Sequence, residues 1–261
     1  MQSPGDIGGQ DDRTALDFDI SMAFQPIVDV EQRSIFAYEA LVRGTDGAPA
    51  ESILARVNDS NRYAFDQRCR VRAVELAAAL GMQEMLSINF MPNAVHEPAR
   101  SLRGTLETAL RTGFSVSQII FETTEDHREH DDELLRNIFS TYRMHGFKTA
   151  LDGFGAGYAD LNLLADFQPD FLKIDMGLVQ GIERDRARQT IVGAVAAIGT
   201  LLGIRVIAKG IEDARSVSLL HHLGINLMQG YLFAKPGFET LPQVDFNVLL
   251  SSAQGVGTAR G

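Results

Sequence analysis

Short apolar runs alternate with helix-like stretches along most of the chain. The first two runs, MAFQPIVDV at 22–30 and SIFAYEALVRG at 34–44, are separated by the polar turn EQR, a pattern that predicts a β-hairpin. Later runs predict the strands MLSINF, SQIIFETTE, FKTALD, DFLKID, IRVIAKG and INLMQGYLF. The stretches between them predict helices over about 62–80, 94–111, 132–145, 159–167, 186–202 and 212–223.

This alternation predicts an α/β fold with one parallel sheet. A strand followed by a helix recurs about seven times with short connections, which implies helical crossovers between parallel strands. So many units in one body favour a (β/α) barrel over an open doubly wound sheet, and no GxGxxG follows the first strand. The hairpin predicts one antiparallel strand. We expect the barrel domain at residues 17–250, with disordered tails at 1–16 and 251–261.

Polar residues lie at the carboxyl ends of the predicted strands, where barrel enzymes build their active sites. They are Glu39, Asn89, Glu122, Asp152, Lys173, Lys209 and Gln229. Three carboxylates and an amide oxygen are hard ligands, which suit Mg²⁺, Mn²⁺ or Ca²⁺ better than zinc. Lys173 and Arg43 would face the same cleft as cations, and metal with cations suits a phosphate ester. The alternative is that strand-end polar residues merely cap the sheet in solvent.

The stretch FKTALDGFGAGYADL at 147–161 joins one such carboxylate, Asp152, to a glycine-rich turn. Glycines in this position allow a backbone to approach a ligand closely or to turn with positive φ. An ordinary βα turn that happens to contain an aspartate would have the same appearance, because short glycine-rich loops are weak signals.

Charge and composition narrow the classes of partner. The 261-residue chain has a formal net charge of −10, which makes it a poor general binder of nucleic acid polymers or anionic membranes. Cys69 is the only cysteine, so no intrachain disulfide can form, and its helical context predicts an inert, partly buried thiol. The polar N-terminus is unlike a secretory signal, and glycines interrupt the longest apolar stretch at 191–207, so we expect a cytoplasmic protein without a membrane span.

Several motifs resemble one family in order and approximate spacing. The segment YEALVRG at 38–44 is similar to the signature of EAL domains, phosphodiesterases that hydrolyse cyclic di-GMP to the linear dinucleotide pGpG. The other matching motifs are FQPI at 24–27, INFMP at 88–92, FETTE at 121–125, LDGFGAGY at 151–158, LKID at 172–175, AKGIE at 208–212 and MQGYLFAKP at 228–236. The resemblance spans about residues 20–240 and implies a modified TIM (β/α)8 barrel with one antiparallel strand.

The resemblance also implies roles for individual residues. Those matching the family's metal ligands are Glu39, Asn89, Glu122 and Asp152. Lys173 matches the lysine near the scissile phosphate and the attacking water, and Glu125 matches a glutamate that supports the loop after Asp152. The expected nucleotide-binding set is Gln25, Glu39, Leu41, Arg43, Asn89, Asp152, Lys173, Lys209, Glu212, Gln229 and Pro236.

Two positions depart from the family pattern. The family reads DDFG where this chain has Asp152 followed by Gly153, so a ligand of the second metal is missing. The family reads AEG where this chain has Lys209, so a cation replaces the glutamate that positions and deprotonates the attacking water. These changes move the formal charge of the matching set from −4 to −1. We expect no two-metal centre, and at most one Mg²⁺, Mn²⁺ or Ca²⁺ ion.

We hypothesise that the Lys209 ammonium pairs with Asp152 where the second metal would lie. The alternatives are a Lys209 that extends to solvent, and a Gly153 that leaves one-metal activity intact. The favoured function is a degenerate EAL domain that acts as a cyclic di-GMP receptor or a protein-interaction module. An active or weakly active phosphodiesterase is the alternative, and an interaction domain that binds neither nucleotide nor metal is a third. We also expect a protein partner in trans or a homodimer, with contacts at the helix after the Asp152 loop.

Overall fold

Eight strands close into a barrel whose strand order follows the sequence. The computed structural model describes residues 16–95, 97–124, 132–156 and 161–249. The first strand is antiparallel to both of its neighbours, the second and the eighth, whereas the second to eighth strands run parallel to one another. The predicted modified TIM barrel with one antiparallel strand is therefore confirmed.

The strands and helices are numbered in chain order. The strands are β1 Ile20–Asp29, β2 Ser34–Gly44, β3 Met85–Asn89, β4 Ile119–Thr124, β5 Lys148–Phe154, β6 Phe171–Ile174, β7 Arg205–Ala208, β8 Leu227–Met228 and β9 Gly237–Phe238. The α-helices are α1 Ala50–Leu54, α2 Arg62–Ala79, α3 Pro98–Ser101, α4 Arg103–Thr112, α5 Asp132–Met144, α6 Leu161–Asp166, α7 Met176–Val179, α8 Arg186–Leu202 and α9 Ala214–His222. Short 3₁₀ turns are Pro92–Ala94, Val116–Gln118, Ile182–Arg184 and Phe246–Leu249.

Two predicted elements are wrong in extent. The single helix expected over 94–111 is divided into a 3₁₀ turn, α3 and α4, because Pro98 lacks an N–H and favours the first position of a new helix. The strand expected over 225–233 keeps only Leu227–Met228 in the sheet. Beyond it the backbone bonds to Ile211 instead, from the Ile211 N–H to the Gln229 carbonyl and from the Leu232 N–H to the Ile211 carbonyl, both at 3.0 Å.

The barrel interior is layered, and the layers follow from the two-residue period of a strand. An apolar layer fills the closed end of the barrel and consists of Ile27, Ala37, Ile120, Ala150, Phe171, Ile207 and Leu227. Two residues from each of these apolar residues, toward the open end of the barrel, the same strand or the residue directly after it carries a polar side chain. This polar layer consists of Gln25, Glu39, Glu122, Asp152, Lys173, Lys209 and Gln229. The fold therefore gathers residues that are widely separated in sequence into one ring above an apolar floor.

A second, larger core lies between the barrel and its surrounding helices. Within it, Arg70 of α2 is fully buried and forms an ion pair with Asp66 at 2.7 Å, while its Nη1 donates to the Tyr142 hydroxyl at 2.8 Å. Cys69 is buried in the same helix, and burial raises the pKa of its thiol well above the usual value, in agreement with the predicted inert thiol. None of the described helices is both long and apolar enough to cross a membrane.

Candidate functional site

A buried ammonium joins two carboxylates at the centre of the polar layer. Lys173 Nζ donates to Glu39 Oε2 at 2.8 Å and to both Glu122 oxygens at 3.0 and 2.9 Å. Glu39 also accepts from Gln229 Nε2 at 2.8 Å and from Asn89 Nδ2 at 3.2 Å. The predicted residues from β2, β3, β4, β6 and the end of β8 therefore meet in one hydrogen-bonded network.

Burial and neighbouring charges separate the two carboxylates of this network in acidity. Burial opposes ionisation of Glu39, yet the ammonium groups of Lys173 and Lys209 hold its pKa well below its usual range. Burial and the nearby charge of Glu39 raise the pKa of Glu122 to about 8, against the attraction of Lys173. Burial disfavours the Lys173 ammonium, but Glu122 and Glu39 together raise its pKa above the usual lysine value. The three groups therefore titrate as one coupled cluster, in which Glu122 is the carboxylate that keeps a proton to the higher pH.

Asp152 and Lys209 form a separate ion pair in the same layer. Lys209 Nζ lies 2.8 Å from Asp152 Oδ1 and 2.7 Å from Oδ2, so one ammonium contacts both oxygens. The Asp152 side chain is 5% exposed and the Lys209 side chain 26% exposed. The hypothesised contact is thus present, and Lys209 does not extend freely into solvent.

Gly153 lies at an irregularity of β5, where the register with β6 shifts between Leu151 and Phe154. Its φ is +80°, and its N–H donates to the Asp152 carboxylate at 2.7 Å. A Cβ added at this position would meet no heavy atom within 4 Å, but the residue that carries it would have to keep the positive φ.

The carboxylate oxygens of this layer are all engaged by other hydrogen-bond donors. All six oxygens of Glu39, Glu122 and Asp152 accept hydrogen bonds, from ammonium, amide or hydroxyl groups. Within the described ranges, no group of three or more His, Cys, Asp and Glu side chains is placed to hold a metal ion. A divalent ion at Asp152 would have to displace the Lys209 ammonium. The set expected for a single ion, Glu39, Asn89, Glu122 and Asp152, stays a prediction.

The remaining nucleotide-binding candidates lie around this network rather than in it. Gln25 Nε2 donates to the Ala234 carbonyl at 3.2 Å, and Arg43 Nη1 donates to the Val42 carbonyl at 2.7 Å. Leu41 and Pro236 are partly buried, and Glu212 is exposed. Glu125 lies outside the described residues. The structure therefore brings these side chains to the same end of the barrel without joining them by hydrogen bonds to the central carboxylates.

Two features of the site are absent from the sequence prediction. Ser87 is fully buried and donates its hydroxyl to Glu122 at 2.6 Å, and its position two residues before Asn89 in MLSINF was the available signal. A cavity of about 430 Å³ opens beside Glu39 and Asn89 and is lined mainly by apolar side chains, with the buried Asp66 carboxylate among them. An aspartate on the buried face of a predicted helix, four residues before an arginine, was the signal for that carboxylate.

Comparison with known proteins identifies the family. A family model described as the EAL domain matches residues 13–236. The chain belongs to the EAL domain family. A crystal structure of a standalone versatile EAL protein from Vibrio cholerae O395, in its cyclic di-GMP-bound form, is 49% identical with a TM-score of 0.87, and the match covers 90% of this chain and 99% of that one.

Several similar proteins are longer than this chain. The BlrP1 calcium and cyclic di-GMP complex from Klebsiella pneumoniae is 31% identical with a TM-score of 0.82, over 93% of this chain and 60% of BlrP1. Another BlrP1 structure contains FMN and cyclic di-GMP with no metal ions. The blue light- and temperature-regulated antirepressor BluF of Escherichia coli is 31% identical over 85% of this chain, and the cyclic di-GMP phosphodiesterase PdeR of the same organism is 36% identical over 59% of it. The chain spans 55% of BluF and 23% of PdeR.

Proposed function

We propose that this EAL domain is a cyclic di-GMP receptor without useful phosphodiesterase activity. One observation carries the proposal: the Lys209 ammonium neutralises both oxygens of Asp152 while Gly153 contributes no second carboxylate. Hydrolysis with two divalent ions needs anionic ligands for both, because the metals generate the nucleophile and stabilise the leaving oxygen. A lysine ammonium has three N–H donors and no acceptor, so it offers no lone pair with which to deprotonate the attacking water.

The binding half of the proposal is supported by the intact surroundings of the central network. Gln25, Arg43, Gln229 and Pro236 keep the residue types of the family's nucleotide-contacting positions. The cavity beside Glu39 has ample volume for an aromatic base, and its apolar lining favours transfer of a base from water. A fixed ammonium beside the cleft attracts a phosphodiester without the need for a bound metal.

Related structures agree with nucleotide binding as the property that is retained. The Vibrio cholerae protein is described in a cyclic di-GMP-bound form, and BlrP1 is described with cyclic di-GMP both with calcium and without metal ions. BluF, an antirepressor by name, adds support for a signalling role exerted through a protein partner. A partner in trans, a homodimer and a cytoplasmic location are parts of this proposal.

The second candidate is a weak phosphodiesterase that uses one divalent ion. The observation in its favour is that Glu39, Glu122 and Lys173 keep the family's residue types and meet at the centre of the barrel. PdeR, named a phosphodiesterase, is one relative in which this family carries out the reaction.

Calorimetry and chromatography separate the two candidates. The full chain is titrated with cyclic di-GMP in EDTA and again with Mn²⁺, and the nucleotide is then separated by chromatography after incubation with excess Mn²⁺. The proposal expects the same dissociation constant within about threefold in both buffers and no pGpG beyond a protein-free control.

Each outcome has a defined meaning for the proposal. Turnover to pGpG on the order of 1 per second, a rate typical of enzymes, would establish the phosphodiesterase instead. Absence of binding heat in both buffers, with folded protein, would reject the receptor and leave the interaction domain. An Arg43→Ala variant serves as the binding control, because it removes an expected nucleotide contact without altering the Asp152 and Lys209 pair.

A further inference from the structure

The segment between β8 and β9, residues 229–236, begins at Gln229 of the polar layer and is named here the rim segment. Its first residues bond to Ile211, through the Gln229 carbonyl and the Leu232 N–H. Near its other end the Ala234 carbonyl accepts from Gln25 Nε2 at 3.2 Å, and Pro236 directly precedes β9. Two of the expected nucleotide contacts, Gln25 and Pro236, therefore depend on where the rim segment lies.

The far end of the rim segment is held by very little backbone pairing. The strand β9 has two residues, which pair with Ala23 and Phe24 of β1. One further backbone bond, from the Glu239 N–H to the Met22 carbonyl at 3.0 Å, extends this contact. A two-residue strand at a sheet edge frays readily unless side chains hold it.

The Glu239 carboxylate supplies such a side-chain anchor. Its Oε1 accepts from the hydroxyl of Ser21, which is fully buried in β1, and from Arg72 Nη2 of α2 at 3.0 Å. Arg72 Nη2 also lies 3.4 Å from the Ser21 hydroxyl, so three side chains from three separate parts of the chain meet at one point. The Arg72 and Glu239 side chains are 32% and 40% exposed.

The backbone at Glu239 indicates that the carboxylate contact holds the conformation. Glu239 has a φ of +49°, in the left-handed region that disfavours a residue with a Cβ. The chain must turn sharply here, since a Cβ on Gly237 would lie 2.5 Å from the Thr240 hydroxyl oxygen and 2.8 Å from Pro242. A glutamate keeps this conformation only when its surroundings compensate, and the described partners of its side chain are Ser21 and Arg72.

We infer that Glu239, through Arg72 and Ser21, is a positioning residue that latches the rim segment in place for cyclic di-GMP. The inference rests on the proposed function, because it concerns affinity at the same site. Glu239 does not contact the central carboxylates, so it acts through Pro236 and the Ala234 contact with Gln25. Release of the latch should leave the barrel folded while the rim segment exchanges among several positions, which lowers the fraction of molecules competent to bind.

Four variants of the full chain test the latch. Glu239→Ala and Arg72→Met remove the contact, Arg72→Lys keeps its charge, and Glu239→Gly removes the carboxylate while it relieves the positive φ. Glu75→Ala is the matched control, because Glu75 lies in the same helix as Arg72 and forms an ion pair with Arg111 of α4, away from Glu239. Hydrogen exchange of the nucleotide-free protein at residues 230–239, the melting temperature and calorimetry with cyclic di-GMP are measured for each.

The latch predicts faster exchange across 230–239 and about tenfold weaker binding, ~1.4 kcal/mol, for Glu239→Ala, Arg72→Met and Glu239→Gly. Arg72→Lys should remain within about threefold of the parent affinity, and Glu75→Ala should change neither quantity. Parent-like exchange and affinity in Glu239→Gly would overturn the inference, as would a lower melting temperature with unchanged affinity in Glu239→Ala. Absence of nucleotide binding by the parent would reject the proposed function, whereas the exchange comparison would still decide the latch.

Discussion

The contact between Lys209 and Asp152 is an ion pair at the position where the family pattern implies a second metal. Lys209→Glu combined with Gly153→Asp replaces that pair with three carboxylates around one position, and a Cβ at position 153 would meet no heavy atom within 4 Å. The expected result is Mn²⁺-dependent hydrolysis of cyclic di-GMP, faster than the parent by about 10²–10⁴-fold, the usual contribution of a positioned base. Chromatography of the products measures it.

The matched control for that variant is Lys209→Gln, which removes the ammonium without adding a ligand. It should stay inactive, since a neutral amide neither deprotonates water nor attracts a second cation. A double variant that binds Mn²⁺ but gives no more pGpG than the parent would place the defect elsewhere in the site. The aspartate at position 153 must also adopt a positive φ, so a lower melting temperature is expected in the double variant.

The raised pKa of Glu122 makes stability depend on pH. The folded protein keeps a proton on Glu122 up to about pH 8, whereas the unfolded chain releases it near 4.5. The stabilisation from this group is therefore complete below pH 4.5 and is lost as the pH rises through 8. Glu122→Gln carries no such proton. As the pH rises from 5.5 to 8.5, its free energy of unfolding should therefore increase relative to that of the parent by up to about 1.4 kcal/mol per pH unit.

Urea denaturation of both proteins at several pH values measures this difference. Glu212→Gln is the comparison for an exposed glutamate on the same side of the barrel, and its curve should run parallel to the parent's. If the Glu122→Gln curve also runs parallel to the parent's, Glu122 is ionised throughout the range, and the claim that it keeps a proton in the folded protein is wrong.

Among the elements, the turn after β8 depends most on a single small residue. A Cβ on Gly230 would lie 2.0 Å from the Ile211 carbonyl oxygen and 2.3 Å from its nitrogen, so the backbones that carry Gln229 and Lys209 would have to separate. Gly230→Ala is expected to lower the free energy of unfolding by about 1–3 kcal/mol and to weaken cyclic di-GMP binding, because Gln229 moves away from Glu39.

Gly104→Ala is the matched glycine control. Its added Cβ would meet two side chains at 3.6 Å, an ordinary contact, inside helix α4. It should stabilise the protein by up to about 1 kcal/mol, because alanine favours a helix over glycine. Chemical denaturation of the two variants measures the expected decrease in the free energy of unfolding for Gly230→Ala and the expected increase for Gly104→Ala, and calorimetry measures nucleotide binding. An unchanged free energy of unfolding in Gly230→Ala would show that the turn can relax without cost.

The elements that sequence could predict are those fixed by periodicity. The alternation of strand and helix predicted the barrel. The polar residues at the strand ends predicted the polar layer. Both predictions depend on the spacing of residues within single segments. A two-residue period applied to Ile120, for example, leads directly to Glu122, and applied backwards from Ile27 in the antiparallel strand it leads to Gln25. The contact of Lys209 with Asp152 followed from the family resemblance, which places both residues around one metal position although β6 separates their strands.

Elements fixed by contacts between distant segments escaped prediction. The strand β9 is two residues long and exists through its contacts with β1. The strand β8 ends early because the backbone after Met228 forms hydrogen bonds with the backbone of Ile211. The cavity beside Asp66 arises from how α2 packs on β2 and β3, which no local pattern specifies. The roles of the site residues stay predictions, because a charge count does not measure catalysis.

For the whole molecule, nucleotide should raise thermal stability, whereas metal alone should leave it unchanged. Cyclic di-GMP at about 100 times its dissociation constant adds roughly 2.7 kcal/mol to the free energy of unfolding, or about 5–10 °C in melting temperature for a domain of this size. Mn²⁺ alone should leave the melting temperature within about 1 °C, because the Lys209 ammonium already neutralises Asp152.

Differential scanning fluorimetry in EDTA, in Mn²⁺ and in nucleotide measures these shifts. The Gly153→Asp and Lys209→Glu double variant is the positive control, since its added carboxylates should make Mn²⁺ stabilising. A parent protein that Mn²⁺ stabilises as much as the double variant does would contradict the metal-independent receptor.

The reversed direction of β1 determines which end of the barrel a domain fused upstream of it would adjoin. Because Ile20 pairs with Gly44 at the carboxyl end of β2, β1 begins at the cleft end of the barrel rather than at the closed end. A domain fused upstream of β1 would therefore be tethered beside the cleft, where a short linker gives an effective concentration in the millimolar range. In a barrel whose first strand ran with the others, the same fusion would be attached at the far end, a barrel's height from the ligand.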